Sequence, residues 1–117
     1  MFNASLNATY VDDKKTVRYY QNGELNHINN GTKGNQKYAD GQRIAVEVDM
    51  ITAPRRATFF VDDVEQPNFV IGIPKAIRFW ACTYNDSSSF TVTKFERFIQ
   101  STAKGVKGSK ALEWGKE

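Results

Sequence analysis

Apolar and polar positions alternate along this chain in short runs of period two, the pattern of strands that bury one face and wet the other. The clearest run is RIAVEVDM, residues 43–50. It sets Ile44, Val46, Val48 and Met50 on one face and Ala45, Glu47 and Asp49 on the other. A turn through ITAPRR leads to ATFFVDD, with Ala57, Phe59 and Val61 on one side and Thr58, Phe60 and Asp62 on the other. Neighbouring strand residues point to opposite faces, so Phe59 and Phe60 cannot share one core. Phe59 is expected between two sheets, and Phe60 needs separate cover from Trp80, from the segment around Trp114, or from another chain.

The remaining elements follow the same logic. Residues 15–28, KTVRYYQNGELNHI, read as a hairpin turning at Asn22-Gly23, a dipeptide favoured in tight turns. NNGTKGNQKYADG (29–41) is Gly- and Asn-rich and reads as a loop. NFVIGIP (68–74) is a short apolar strand closed by Gly72 and Pro74. AIRFWACTY (76–84) is a further strand, NDSSS (85–89) a turn, and SFTVTKFERF (89–98) a closing strand. Residues 99–117 turn small, polar and basic, with one helical turn expected around Leu112 and Trp114.

Composition narrows the picture without changing it. The 117 residues suit one domain, and a chain of this length buries roughly two-thirds of its unfolded surface. Aromatic residues make up 13%, with Phe and Tyr far outnumbering Leu, so the core is aromatic-rich. The expected class is all-β: an antiparallel sandwich, shortened, with a mostly irregular basic C-terminal tail. The expected organisation is a lead-in over 1–14, the sandwich over 15–98 and the tail over 99–117.

Net charge is +3, and the tail lysines supply much of it. A near-neutral body with a mildly basic tail gives little reason to expect nucleic acid as a partner. Cys82 is the only cysteine, which excludes an intrachain disulfide. The start, MFNASLNATY, has neither the basic region nor the apolar stretch of a signal peptide, and no run approaches a membrane span. The expectation is a cytoplasmic protein whose N-x-[ST] sequons at Asn3, Asn7, Asn30 and Asn85 stay unmodified.

Candidate chemistry is sparse. His27 is the only histidine and is read as structural, since metal binding or catalysis calls for clustered partners. Asp12-Asp13 and Asp62-Asp63 do not extend into a calcium loop and read as turn residues. GVKGSK (105–110) fails the spacing of a phosphate-binding loop. No metal, no cofactor and no enzymatic activity are expected. Exposed aromatics among Tyr19, Tyr20, Trp80 and Tyr84 are the available binding chemistry, as flat surfaces with polar edges.

The order VRYYQNGELN, DGQRIAVEVDM, ATFFVDDVEQPNFVIGIP, IRFWACTYNDSSSFTVTKF resembles the later part of a SPRY domain, a β-sandwich related to the concanavalin-A-like lectins. Asp40, Gly41, Ile44 and Asp49 match that family's second element. Asp62-Asp63 replaces its Asn-Gly turn, which weakens the expectation of a type I′ geometry. The aromatic motif of the family's opening strands is absent ahead of residue 15. The resemblance implies a non-catalytic module that offers loops at one end of the sandwich to a protein or peptide. By the same resemblance Tyr20, Asn30, Lys33, Tyr38, Tyr84 and Asp86 are its candidate contacts. It also implies open sheet edges through which the chain self-associates or takes a partner strand. The alternative function is a carbohydrate-binding lectin on the same fold, whose usual calcium cluster is not visible in the sequence.

Overall fold

The structure is a computed structural model that describes residues 2–7, 16–28, 30–83, 91–94, 96 and 101–115. Its strands are β1 (Phe2–Asn7), β2 (Thr16–Tyr20), β3 (Leu25–His27), β4 (Asn30–Thr32), β5 (Ile44–Asp49), β6 (Arg56–Val61), β7 (Val64–Glu65), β8 (Asn68–Ile71), β9 (Arg78–Thr83) and β10 (Lys110–Glu113). One sheet runs β4-β3-β2-β1-β9. The other runs β10-β8-β6-β5, with β7 paired to the end of β6. Among the described residues there is no helix, and none long and apolar enough to cross a membrane.

Register shows why the alternation builds a core. Ile44, Val46 and Val48 stand opposite Val61, Phe59 and Ala57, so these six share the inner face of the second sheet. Val17, Tyr19 and Leu25 supply the first sheet's inner face, and all three are fully buried. The Tyr19 ring meets Phe59 edge-on at 5.5 Å and Tyr38 edge-on at 5.0 Å, which locks the two sheets together. Burying Phe59 stabilises by roughly 1.5–3 kcal/mol, with about 0.5–1.5 kcal/mol more from each aromatic pair. Burial also pushes the Tyr19 phenol above its ordinary ionisation range.

Phe60 takes the outer face, opposite Ala45 and Glu65, and is half-buried. The C-terminal strap crosses this face. The Glu47 carboxylate accepts the N–H groups of Thr102 (2.9 Å) and Ala103 (3.3 Å) and the hydroxyls of Ser101 and Thr102. Glu65 accepts the N–H groups of Lys104 and Gly105, both at 2.8 Å. Thr58, also on the outer face and paired with Glu47, is only 2% exposed.

Five expectations are corrected. The lead-in contributes a strand: β1 pairs with both β2 and β9, interior to its sheet. Residues 91–94, expected within a closing strand, are irregular and exposed; Phe90, Phe95 and Phe98 lie outside the described residues. The Leu112–Trp114 region is extended rather than helical. It pairs parallel to β8, since a strand offers Leu112 to the core while the β8 edge satisfies its backbone. Asp62 (φ 46°) and Asp63 (φ 68°) both adopt the left-handed region, as a type I′ turn requires, despite lacking glycine. Hydrogen bonds from the Arg43 N–H and the Gln42 amide to the Asp62 carboxylate support the turn. The strand expected to reach Met50 ends one residue earlier, and Met50 is 41% exposed.

Candidate binding end of the sandwich

Three connections meet at one end of the molecule: the β2–β3 turn, the long β4–β5 loop and the β6–β7 turn. Gly23 closes the first, donating to the Tyr20 carbonyl at 3.0 Å while the Tyr20 N–H reaches Glu24 O at 2.9 Å. This makes a three-residue connection, longer than the two-residue turn that Asn-Gly often forms. The Asn22 side-chain oxygen accepts the Glu24 N–H at 3.0 Å. Gly23 sits at φ 94°, and a Cβ there would fall 2.5 Å from the Asn35 carbonyl oxygen. Conformation and close approach both demand glycine.

That close approach exists because the 33–43 segment folds back over the turn and is stapled to both sheets. The Asn35 amide pairs with the backbone of Asn68 like a short piece of strand, accepting its N–H at 2.8 Å and donating to its carbonyl at 3.5 Å. Asn68 in turn donates its side-chain amide to Lys33 O at 3.0 Å. Gln66 Oε1 accepts the Gln36 N–H at 2.6 Å. The Tyr38 hydroxyl donates to Tyr19 O at 2.6 Å, and the Tyr19 hydroxyl to Gln36 O at 2.5 Å. Asn35, Gln66 and Asn68 are all buried, so each staple works in a low-dielectric setting where leaving it unmade is expensive.

The segment then turns at 39–42, Gln42 N–H to Ala39 O at 3.2 Å, with Gly41 at φ 88°. It reaches the β6–β7 turn, where Asp62 accepts from the Arg43 N–H (2.9 Å) and the Gln42 amide (3.0 Å). Those bonds, the Arg43 N–H foremost, hold the Asp62 carboxyl below its ordinary range. Arg43 pairs with Asp63 at 2.9 Å, both side chains well exposed, a contact worth little on its own. The outer rim thus carries Lys33, Gln36, Lys37, Asp40, Arg43 and Asp63 in the solvent, over a fixed backbone. Such an end supplies directional donors and both signs of charge to a polar surface.

The structure divides the predicted contacts. Tyr20 ends β2, half-buried, and Lys33 follows Thr32; because Leu25 pairs with both Tyr19 and Thr32, both lie at this end. Tyr38 belongs to the core, 5% exposed, so its ring is spent on Tyr19 rather than on a partner. Asn30 stands opposite His27 at the other end of the β3–β4 ladder. Tyr84 and Asp86 lie outside the described residues; β9 approaches this end, Cys82 standing across Asn3 from Tyr20. Asn35, Gln66 and Asn68 were not singled out by sequence. The only cue was an Asn-rich segment and a Gln-Pro-Asn before β8. Among the described residues no three His, Cys, Asp or Glu side chains gather to hold a metal ion. Comparisons with protein-family models, with curated proteins and with solved structures return no match for this chain.

Proposed function

We propose that this chain is a non-catalytic binding module that presents the 21–24, 33–43 and 62–63 connections to a peptide or protein, as the SPRY-like order of its elements implies. The observation that supports this most is the stapling of the 33–38 segment into the core. The segment is tied to the second sheet by the Asn35, Gln66 and Asn68 amides and to the first by the Tyr38 and Tyr19 hydroxyls. A recognition surface benefits from order already in place, because less conformational freedom is lost on binding. The exposed Lys33, Lys37, Asp40 and Arg43 supply specificity more than bulk affinity.

The test is affinity capture with mass spectrometry, comparing the wild type with a Lys33→Glu/Lys37→Glu double variant that leaves the staples intact. A protein retained by the wild type and lost by the variant supports the reading. Partners captured equally by both would remove this end from consideration. Glycan-array binding in place of protein binding would favour the lectin alternative.

A further inference from the structure

His27 is buried where the C-terminal strand meets the first sheet. Its ring is 2% exposed, and both nitrogens are committed to groups far apart in the chain. Nδ1 lies 2.9 Å from the Thr16 carbonyl oxygen, which can only accept, so Nδ1 carries the proton. Nε2 lies 2.8 Å from the Gly115 N–H, which can only donate, so Nε2 must be bare. The geometry therefore fixes a neutral ring in one tautomer. Trp114 covers it, ring centres 5.1 Å apart and tilted by 31°.

The groups touching the ring are uncharged. Charged residues of the neighbouring elements stand elsewhere among the described residues. Arg18 and Glu24 alternate onto the face opposite His27. Glu113 alternates away from Leu112 and Trp114, and Lys110 is exposed at the start of β10. β4 carries no charged residue. Among the described residues no carboxylate is thus placed to welcome a second proton on the imidazole.

We infer that His27 is a pH-sensitive clasp for the C-terminal strand. A proton on Nε2 would point at the Gly115 N–H, turning an acceptor into a donor facing a donor. The Gly115 bond is lost and the end of β10 loosens from β8, exposing the Asn68–Ile71 edge to another strand. The clasp holds while the ring is neutral and is weakened by acid, because protonation removes the Nε2 acceptor of the Gly115 N–H. The Glu47 and Glu65 contacts to 101–105 do not depend on this proton, so release is confined to the segment beyond them.

The only histidine gives an unambiguous probe. Nitrogen-15 spectra of the wild-type ring, recorded across pH, report tautomer and protonation, while amide exchange corrected for intrinsic rates reports protection at Leu112–Gly115. The expected result is an Nδ1–H tautomer at neutral pH. Protection there should fall by up to tenfold per pH unit as the pH drops from the free-imidazole range toward the ring's own midpoint, and level off below it, the form of a one-proton linkage, while Val17 and Leu25 stay protected. His27→Gln, which keeps an acceptor but cannot ionise, should show no such dependence. An Nε2–H ring, protection that persists through the ring titration, loss at Val17 and Leu25 at the same pH, or a pH dependence retained in His27→Gln would each overturn the inference. If His27→Gln does not fold, the wild-type tautomer and midpoint decide alone.

Discussion

The 33–43 segment and the 101–115 strap look alike as sequence: both are polar, glycine-containing and basic. In the structure both are ordered, yet by opposite means. The first is held by neutral amide side chains buried at the end of the sandwich, Asn35 on the Asn68 backbone and Gln66 on the Gln36 N–H. In the second, 101–105 is held at the surface by carboxylates gripping backbone N–H groups, and 110–115 by its pairing with β8 and by one histidine. A buried amide has no solvent to fall back on when its partner goes, whereas a surface carboxylate does. The first segment is therefore part of the fold's stability, and the strap is an attachment that can be loosened while the sandwich stands.

Mutations should separate the two regions by size of effect. Gly23→Ala strikes the stapled end hardest, since the methyl group must enter the space of the Asn35 carbonyl at a left-handed φ. A loss of about 3 kcal/mol in urea unfolding is expected. A loss under ~1 kcal/mol would mean that the 33–38 segment yields easily and the contrast is false. Asn35→Ala removes the acceptor of the buried Asn68 N–H and should cost about 1–3 kcal/mol by the same measurement.

Glu47→Gln tests the strap. Global stability should change by less than about 1 kcal/mol, as for other surface contacts, while exchange protection at Thr102 and Ala103 falls. In the wild type partial burial pushes the Glu47 carboxyl upward, but the hydrogen bonds from Ser101, Thr102 and Ala103 outweigh it and hold it below its ordinary 4.5. A depressed carboxyl contributes fully above that ordinary value and loses its contribution as pH falls below it toward the folded-state value. Protection of 101–103 should accordingly decline below pH 4.5 in the wild type and become flat with pH in the variant. Equal global destabilisation by Glu47→Gln and Asn35→Ala would erase the distinction. The smallest effect belongs to Asp63→Gly. Relief of a strained φ should slightly exceed the lost exposed ion pair, a net gain of about 0.5 kcal/mol seen as a modest rise in Tm.

How much of this could be read beforehand divides along physical lines. The period-two runs of β5 and β6 placed Phe59 and the Ile44–Val48 face correctly, because side-chain alternation is a local property. β1 was equally available in the alternation of Phe2, Ala4 and Leu6 with Asn3, Ser5 and Asn7, and was hidden only by its polar half. The staples were not readable. Asn35 and Asn68 become partners through the packing of the two sheets, and an asparagine in a loop looks the same whether it faces water or a backbone. Tyr38 illustrates the same limit: a tyrosine in a polar segment signals exposure, and the fold gave it a core position. The Asp62-Asp63 turn was read as a turn, but its type I′ geometry goes against local propensity and is supported by Arg43 and Gln42 from the β4–β5 loop.

One arrangement bears on how the chain reaches this state. β1 lies between β2 and β9, with Phe2 opposite Thr83, so the first sheet closes only when segments from distant parts of the chain meet. The β5–β6 pair can form as a local hairpin, but β1 must hold a free edge until β9 arrives. Bringing such remote strands together costs chain entropy before any contact is gained, so refolding belongs on the millisecond-to-second scale of non-local β topologies. During that wait the unpaired side of β1 is the place where two folding chains would be most prone to join each other instead.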